Sequence, residues 1–248
     1  MRQEQSTDIR SVFDARIGLD RKIFRWACGS KIAWRIDPIS ARHFSGHFGN
    51  QMVPLMHKAL EQWQLREMGL EYPYVNEEGP FTFQVAYRHD GQSEKPTTTL
   101  ATAFFPSKPA AREILELLIY PAFFGLTEPE MIATLVHEIG HTLGMRHDPI
   151  PPTELVSYPC IQLGSAQVHS VMHSEPTLYL SERSGFIHDC DVSAALLLYS
   201  LQGAEFHGWP VIDVEPQQII PKKARRRGKS KFAKQKPGDA EGRALFPP

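Results

Sequence analysis

The sequence predicts an α+β fold. Short β-type alternations fill the first half of the chain, helical patterns follow, and no internal repeat interrupts them, so strands and helices share one core. Ile32, Trp34 and Ile36 alternate with Ala33 and Arg35 as in a strand, which Asp37-Pro38 stops. Residues 50–68 carry Val53, Met56, Leu60, Trp63 and Leu65 near helical spacing, with Lys58, Glu61 and Arg66 on the wet side, and predict an amphipathic helix. Phe81, Phe83 and Val85 predict a second strand, Thr98 to Phe105 a third ending at Pro106, and Ile114 to Tyr120 a fourth.

The best-delimited element follows. Thr127-Glu128-Pro129-Glu130 is a capping box with proline in the first turn, where its missing N–H does no harm. The helix it opens runs through Leu143 to Gly144, a residue suited to a left-handed cap, and packs through Ile132, Leu135, Val136, Ile139 and Leu143. Residues 145–188 read as mostly irregular. Asp189 to Leu201 reads as a closing helix with Val192, Leu196 and Tyr199 on one face.

Apolar residues make up 42% of the 248, enough to bury a core, and no apolar run reaches the ~18 residues of a membrane span. The near-neutral net charge of −1 hides an asymmetry: 221–248 carry a net +8 and 1–220 a net −9. Three cysteines, Cys28, Cys160 and Cys190, are too few for a disulfide framework and match no zinc-finger spacing. The polar residues 1–22 read as a lead-in without the apolar stretch of a secretory signal, 23–205 as the main domain, and 206–248 as a Pro-containing basic tail.

The chemistry lies in His137-Glu138-Ile139-Gly140-His141-Thr142-Leu143-Gly144-Met145-Arg146-His147. On a helix, i and i+4 share a face, so His137 and His141 point at one centre. Glu138 reaches the rim of that centre without being a ligand. Gly144 ends the helix and lets the backbone turn, and His147 approaches from the far side. Three neutral imidazoles with one open position suit a catalytic Zn2+, whose bound water has a pKa near ~7. Glu138 is then the catalytic base. A chance His-Glu-x-x-His on a helix surface is the bland alternative, and Gly144 and His147 at fixed offsets on an apolar-backed helix argue against it.

These residues resemble the metzincins, zinc peptidases with the pattern H-E-x-x-H-x-x-G-x-x-H and a later methionine turn. Ser170-Val171-Met172-His173-Ser174 resembles that turn, with Met172 beneath the metal site. Leu100 to Pro106 resembles the substrate-binding edge strand of the matrixin branch, and Asp189 to Tyr199 its final helix. The resemblance implies a twisted, mostly parallel five-stranded sheet on the metal-binding helix, and an irregular lower subdomain with the methionine turn and closing helix. It also implies a polypeptide substrate cleaved at internal bonds, bound along Leu100 and Ala101, with His173, Pro176 and Tyr179 around the specificity pocket.

Thr102 stands where matrixins usually carry a histidine ligand of a second zinc, and Leu115 to Tyr120 where they carry an Asp-rich calcium segment. One catalytic zinc is therefore expected, without structural zinc or calcium. Asp148 follows the third histidine as in adamalysins, and Ser174 stands where astacins place a metal-binding tyrosine. Matrixin-like and astacin-like affinities both remain open. The basic run 222–236 suits contact with a polyanion. The resemblance favours an extracellular setting and the tail allows a nuclear one. From a different class, a catalytically silent zinc-binding module that docks peptides or partners also fits the histidines, although it has no need of Glu138.

Overall fold

The computed structural model describes residues 15–17, 21–43, 47–76, 78–88, 99–106, 113–147, 161–163, 170–173 and 187–221. In chain order the first elements are β1 (Ala15–Ile17), β2 (Ile23–Trp26), β3 (Trp34–Ile36), α1 (Pro38–His43), α2 (His47–Glu61), β4 (Phe83–Tyr87), β5 (Ala101–Thr102) and β6 (Leu115–Ile119). A 3-10 turn, Pro121–Gly125, leads into α3 (Glu128–Thr142). Then come β7 (Met145–Arg146), β8 (Ile161–Leu163), α4 (Asp189–Ser200), β9 (Glu205–Phe206) and β10 (Trp209–Val214). The α+β class expected from the sequence is the one observed.

The main sheet has the order β3-β4-β6-β5. β3 and β6 both run parallel to β4, and β5 runs antiparallel to β6 at the edge. β4 is buried along nearly its whole length, as a central strand covered on both faces must be. The expected five strands are thus four among the described residues. Alongside β3 the segment 71–75 makes only isolated bridges, at Lys31–Glu71 and Trp34–Tyr74. Its backbone bonds with Ser30, Ile32 and Trp34 are formed, yet Pro73 has no N–H to donate, so the ladder is interrupted.

Two smaller sheets accompany the main one. β1 lies between β7 and β8, antiparallel to both, and Ile17 is fully buried. β10 pairs parallel with β2 and antiparallel with β9, and Val214 is buried. A three-residue strand offers too little alternation to be seen in sequence. The basic run 222–236 lies outside the described residues, as does Cys160, whereas Cys28 is a free thiol.

α3 is surrounded. Residues Ala133 to Thr142 are all buried, and Leu135, Val136, Ile139 and Leu143 join one core with Trp26, Trp34, Trp63 and Phe83, while Ile132 stays half-buried at its margin. α2 packs across α3, and the Trp63 indole N–H donates to Val136 O at 3.0 Å. A helix buried on every side is held by its neighbours rather than by its own propensity, and whatever its polar residues face is shielded from bulk water.

Candidate metal centre

Local chemistry sets where α3 begins and ends. The expected capping box forms: the Glu130 carboxylate accepts from the amide and hydroxyl of Thr127, at 2.7 and 2.8 Å. These two bonds hold its pKa below the ordinary value. At the other end, the Trp26 indole donates to Thr142 O at 2.8 Å and the Tyr199 hydroxyl to Leu143 O at 3.1 Å. Carbonyls that a helix end leaves without partners are so satisfied inside the core. Gly144 then turns the chain at φ +102°, where a side chain is strained, and a Cβ there would lie 2.6 Å from Phe24 O. This turn leads into β7 and brings His147 back to the helix.

His137, His141 and His147 converge as expected. Their ligating atoms lie within 4.8 Å of one another, and Nε2 of His141 is 3.2 Å from Nε2 of His147. Two nitrogens bound tetrahedrally at the usual zinc distance are about 3.4 Å apart, so His141 and His147 are spaced to share one ion. The ring tautomers fit as well. His137 Nδ1 lies 2.8 Å from Val171 O, and His141 Nδ1 lies 2.9 Å from Met145 O. A carbonyl only accepts, so both Nδ1 atoms carry the proton and both Nε2 lone pairs face the centre. Burial, reinforced by the neighbouring imidazoles, pushes the His137 pKa down to about 4 and that of His141 well below its ordinary value. At neutral pH these rings are uncharged, as metal ligands must be.

Glu138 is 6% exposed, and burial raises its pKa to about 8 against the lowering effect of the Ala103 amide, which donates to its carboxylate. Oε2 is buried and has no hydrogen-bond partner among the described residues. Such an orphaned acceptor costs stability wherever it is not put to use. Its placement beside three converging imidazoles fits a centre that holds a cation. Phe105, just past β5, sets its ring 5.3 Å from that of His141. Ala103 and Phe105 were not singled out from the sequence, and nothing in the alternation of residues 98–105 separated them from ordinary strand residues.

Met172 is fully buried against α3. A Cβ on Gly140 would sit 2.3 Å from Met172 Sδ and 3.0 Å from the Trp63 ring, so the glycine between the two helical histidines is what lets the turn approach. That turn hangs from α4. The Asp191 carboxylate accepts from the Ser170 hydroxyl at 2.6 Å, the Val171 amide at 3.0 Å and the His188 amide at 3.3 Å. Burial raises the Asp191 pKa, and these bonds oppose the rise. Asp191 escaped the sequence reading because an acid in the first turn of a helix is ordinary there.

His173 is half-buried and close enough to His137 to lower the pKa of that ring electrostatically. Leu100 accepts from the Tyr120 amide through its carbonyl at 3.0 Å, and Ala101 is buried in β5, the edge of the main sheet. Pro176 and Tyr179 lie outside the described residues. No helix is long and apolar enough to cross a membrane, among the described residues.

No family profile and no curated protein matches the chain. Among solved structures it is similar to one titled "Structure of myroilysin", at 14% identity and a TM-score of 0.45, over 75% of this chain and 99% of that one. It is also similar to "Crystal structure of myroilysin", at 14% identity and a TM-score of 0.43, over 71% of this chain and 86% of the other. What the molecule itself presents is a cluster of three imidazoles, two buried and one half-buried, that can hold a metal ion.

Proposed function

We propose that this chain is a zinc-dependent endopeptidase of metzincin type that hydrolyses internal bonds of an extended polypeptide. The observation that carries the reading is the convergence of three imidazoles, two with their Nε2 lone pairs fixed toward one point, beside a buried glutamate with an unpartnered oxygen. His137, His141 and His147 would hold the ion. Zinc, when bound, activates water, polarises the scissile carbonyl and favours the ionised form of a nearby carboxylate. Glu138 Oε2 takes the proton of the attacking water and delivers it to the leaving amine, while the Ala103 amide steadies the carboxylate. The burial of α3 keeps bulk water from competing for these groups.

β5 ends the main sheet, and an extended peptide can add to it by backbone pairing along Leu100 and Ala101. His173, together with Pro176 and Tyr179, is assigned to the wall of the specificity pocket. Replacing Tyr179 by alanine changes side-chain preference after the cleaved bond in a peptide-library digest; an identical profile removes Tyr179 from that role.

The test of the activity is a casein digest with wild type and Glu138→Ala, each after chelation and again after zinc is restored. Wild type is expected to lose activity with chelator and regain it with zinc, and the variant to stay inactive. Equal activity of both proteins would refute the enzyme. Zinc binding by an inactive wild type would leave a silent peptide-docking module.

A further inference from the structure

Resting on the metal-site reading above, we infer that Ser170 and Asp191 form a relay that positions His137 and strengthens it as a ligand. The bonds run in one sense. His137 Nδ1–H donates to Val171 O at 2.8 Å. The same peptide unit presents the Met172 N–H, which donates to Ser170 Oγ at 3.0 Å. Ser170 Oγ–H donates to Asp191 Oδ1 at 2.6 Å. Imidazole, peptide, hydroxyl and carboxylate thus form an unbroken series in which every donor points toward a buried negative group.

Hydrogen bonds aligned head to tail polarise one another, and low dielectric enhances the effect. The carboxylate draws on the hydroxyl, the hydroxyl on the peptide N–H, and the peptide carbonyl on the imidazole N–H. Electron density shifts toward His137 Nε2, the ligating atom. A carboxylate behind a ligand histidine does this directly in many metal sites; here a serine and one peptide unit transmit it.

The second oxygen of Asp191 fixes the geometry. Oδ2 accepts from the Val171 amide at 3.0 Å and the His188 amide at 3.3 Å, tying the turn to the first turn of α4. Asp191 is 2% exposed and Met172 fully buried, while Ser170 and Val171 are half-buried, so the carboxylate end of the relay is shielded from solvent. His141 has a plainer arrangement, since its Nδ1–H donates to Met145 O four residues along its own chain. The two helical ligands therefore differ in kind, and the difference is testable.

Ser170→Ala removes the hydroxyl and leaves both Asp191 bonds to backbone amides in place. Its zinc affinity, measured by competition with a chromogenic chelator, is expected to fall about tenfold, and Ser170→Thr to restore it. Asp191→Asn is expected to lose about 10–100-fold. In a His141→Ala background the Ser170→Ala loss persists; in a His137→Ala background it vanishes, because the relay ends on that ring. Independently of any metal, 15N spectra of the metal-free protein should show His137 as the Nδ1–H tautomer in wild type and a mixture of tautomers in Ser170→Ala.

Affinities within twofold of wild type for Ser170→Ala, together with an unmoved His137 resonance, would overturn the relay. An equal loss in both histidine backgrounds would do so too. If Asp191→Asn does not fold, the serine pair decides the matter. If wild type binds no zinc, the metal reading fails, while the tautomer spectrum still decides whether the relay orders His137.

Discussion

Gly140 and Gly144 occupy two positions where the chain around the imidazoles has no room for a side chain. Gly140→Ala would push a methyl against Met172 Sδ and Trp63, with both neighbours fully buried. Thermal unfolding should show a loss of about 1–3 kcal/mol, the usual cost of overpacking, and an unchanged Tm would mean that Met172 yields freely. Glu138 sets a pH dependence. Its folded pKa of about 8 stands above its ordinary 4.5, so between those values the folded state holds a proton the unfolded chain has released. Stability of the metal-free protein therefore falls as pH rises through that window, by at most about 1.4 kcal/mol per pH unit from this group. His137 and His141 act oppositely. Their folded pKa values lie below the ordinary 6.5, so the unfolded chain binds more protons and stability falls as pH drops from 6.5 toward about 4. Below 6.5 the two histidines outweigh Glu138, and above it Glu138 acts alone, so these residues place the maximum of metal-free stability near pH 6.5. Denaturant titrations across pH 5–8.5 check this, and Glu138→Gln should abolish the alkaline fall.

Among elements, the legible and the hidden divide by length and by locality. α3 was evident because a capping box, an i, i+4 histidine pair and a terminal glycine fall within a few turns of one another. β1 was hidden, since three residues carry no period. Yet its pairing with β7, through Arg16–Arg146 and Ile17–Met145, braces the residues just before His147. Deleting residues 1–17 should weaken zinc binding even if the remaining core still melts cooperatively, and undiminished affinity would free His147 from any dependence on β1. α4 illustrates a second long-range device. Arg25, on β2, donates to Leu198 O at 2.7 Å and to Leu201 O at 3.1 Å, and its Nε donates to Asp213 at 2.7 Å. Charged donors suit carbonyls at a helix C-terminus. Arg25→Met should cost about 1.5–3 kcal/mol in chemical denaturation, the range for hydrogen bonds to a charged group.

For the molecule as a whole, the proposed ion is a fold-stabilising ligand as well as a reagent. Its donors come from α3 and from the chain beyond β7, and the turn behind His137 is tied to α4, so binding joins parts of the structure distant in sequence. Zinc held at a thousand times its Kd stabilises the folded state by about 4 kcal/mol. Saturating zinc should raise the Tm of wild type by several degrees and leave His147→Ala nearly unmoved; equal shifts would place the bound ion elsewhere.

The sequence alone determined the α+β class, the limits of α3, the three imidazoles and the glutamate beside them, because each depends on interactions within a turn or two of helix. Only the tertiary structure decided which ring nitrogens carry protons, that Glu138 is buried with one oxygen unpartnered, and that Ser170 and Asp191 stand behind His137. Those properties arise from contacts between residues 34 and 21 positions apart. Separations of that size leave no periodic trace in the chain and come together only when burial removes water as the competing partner.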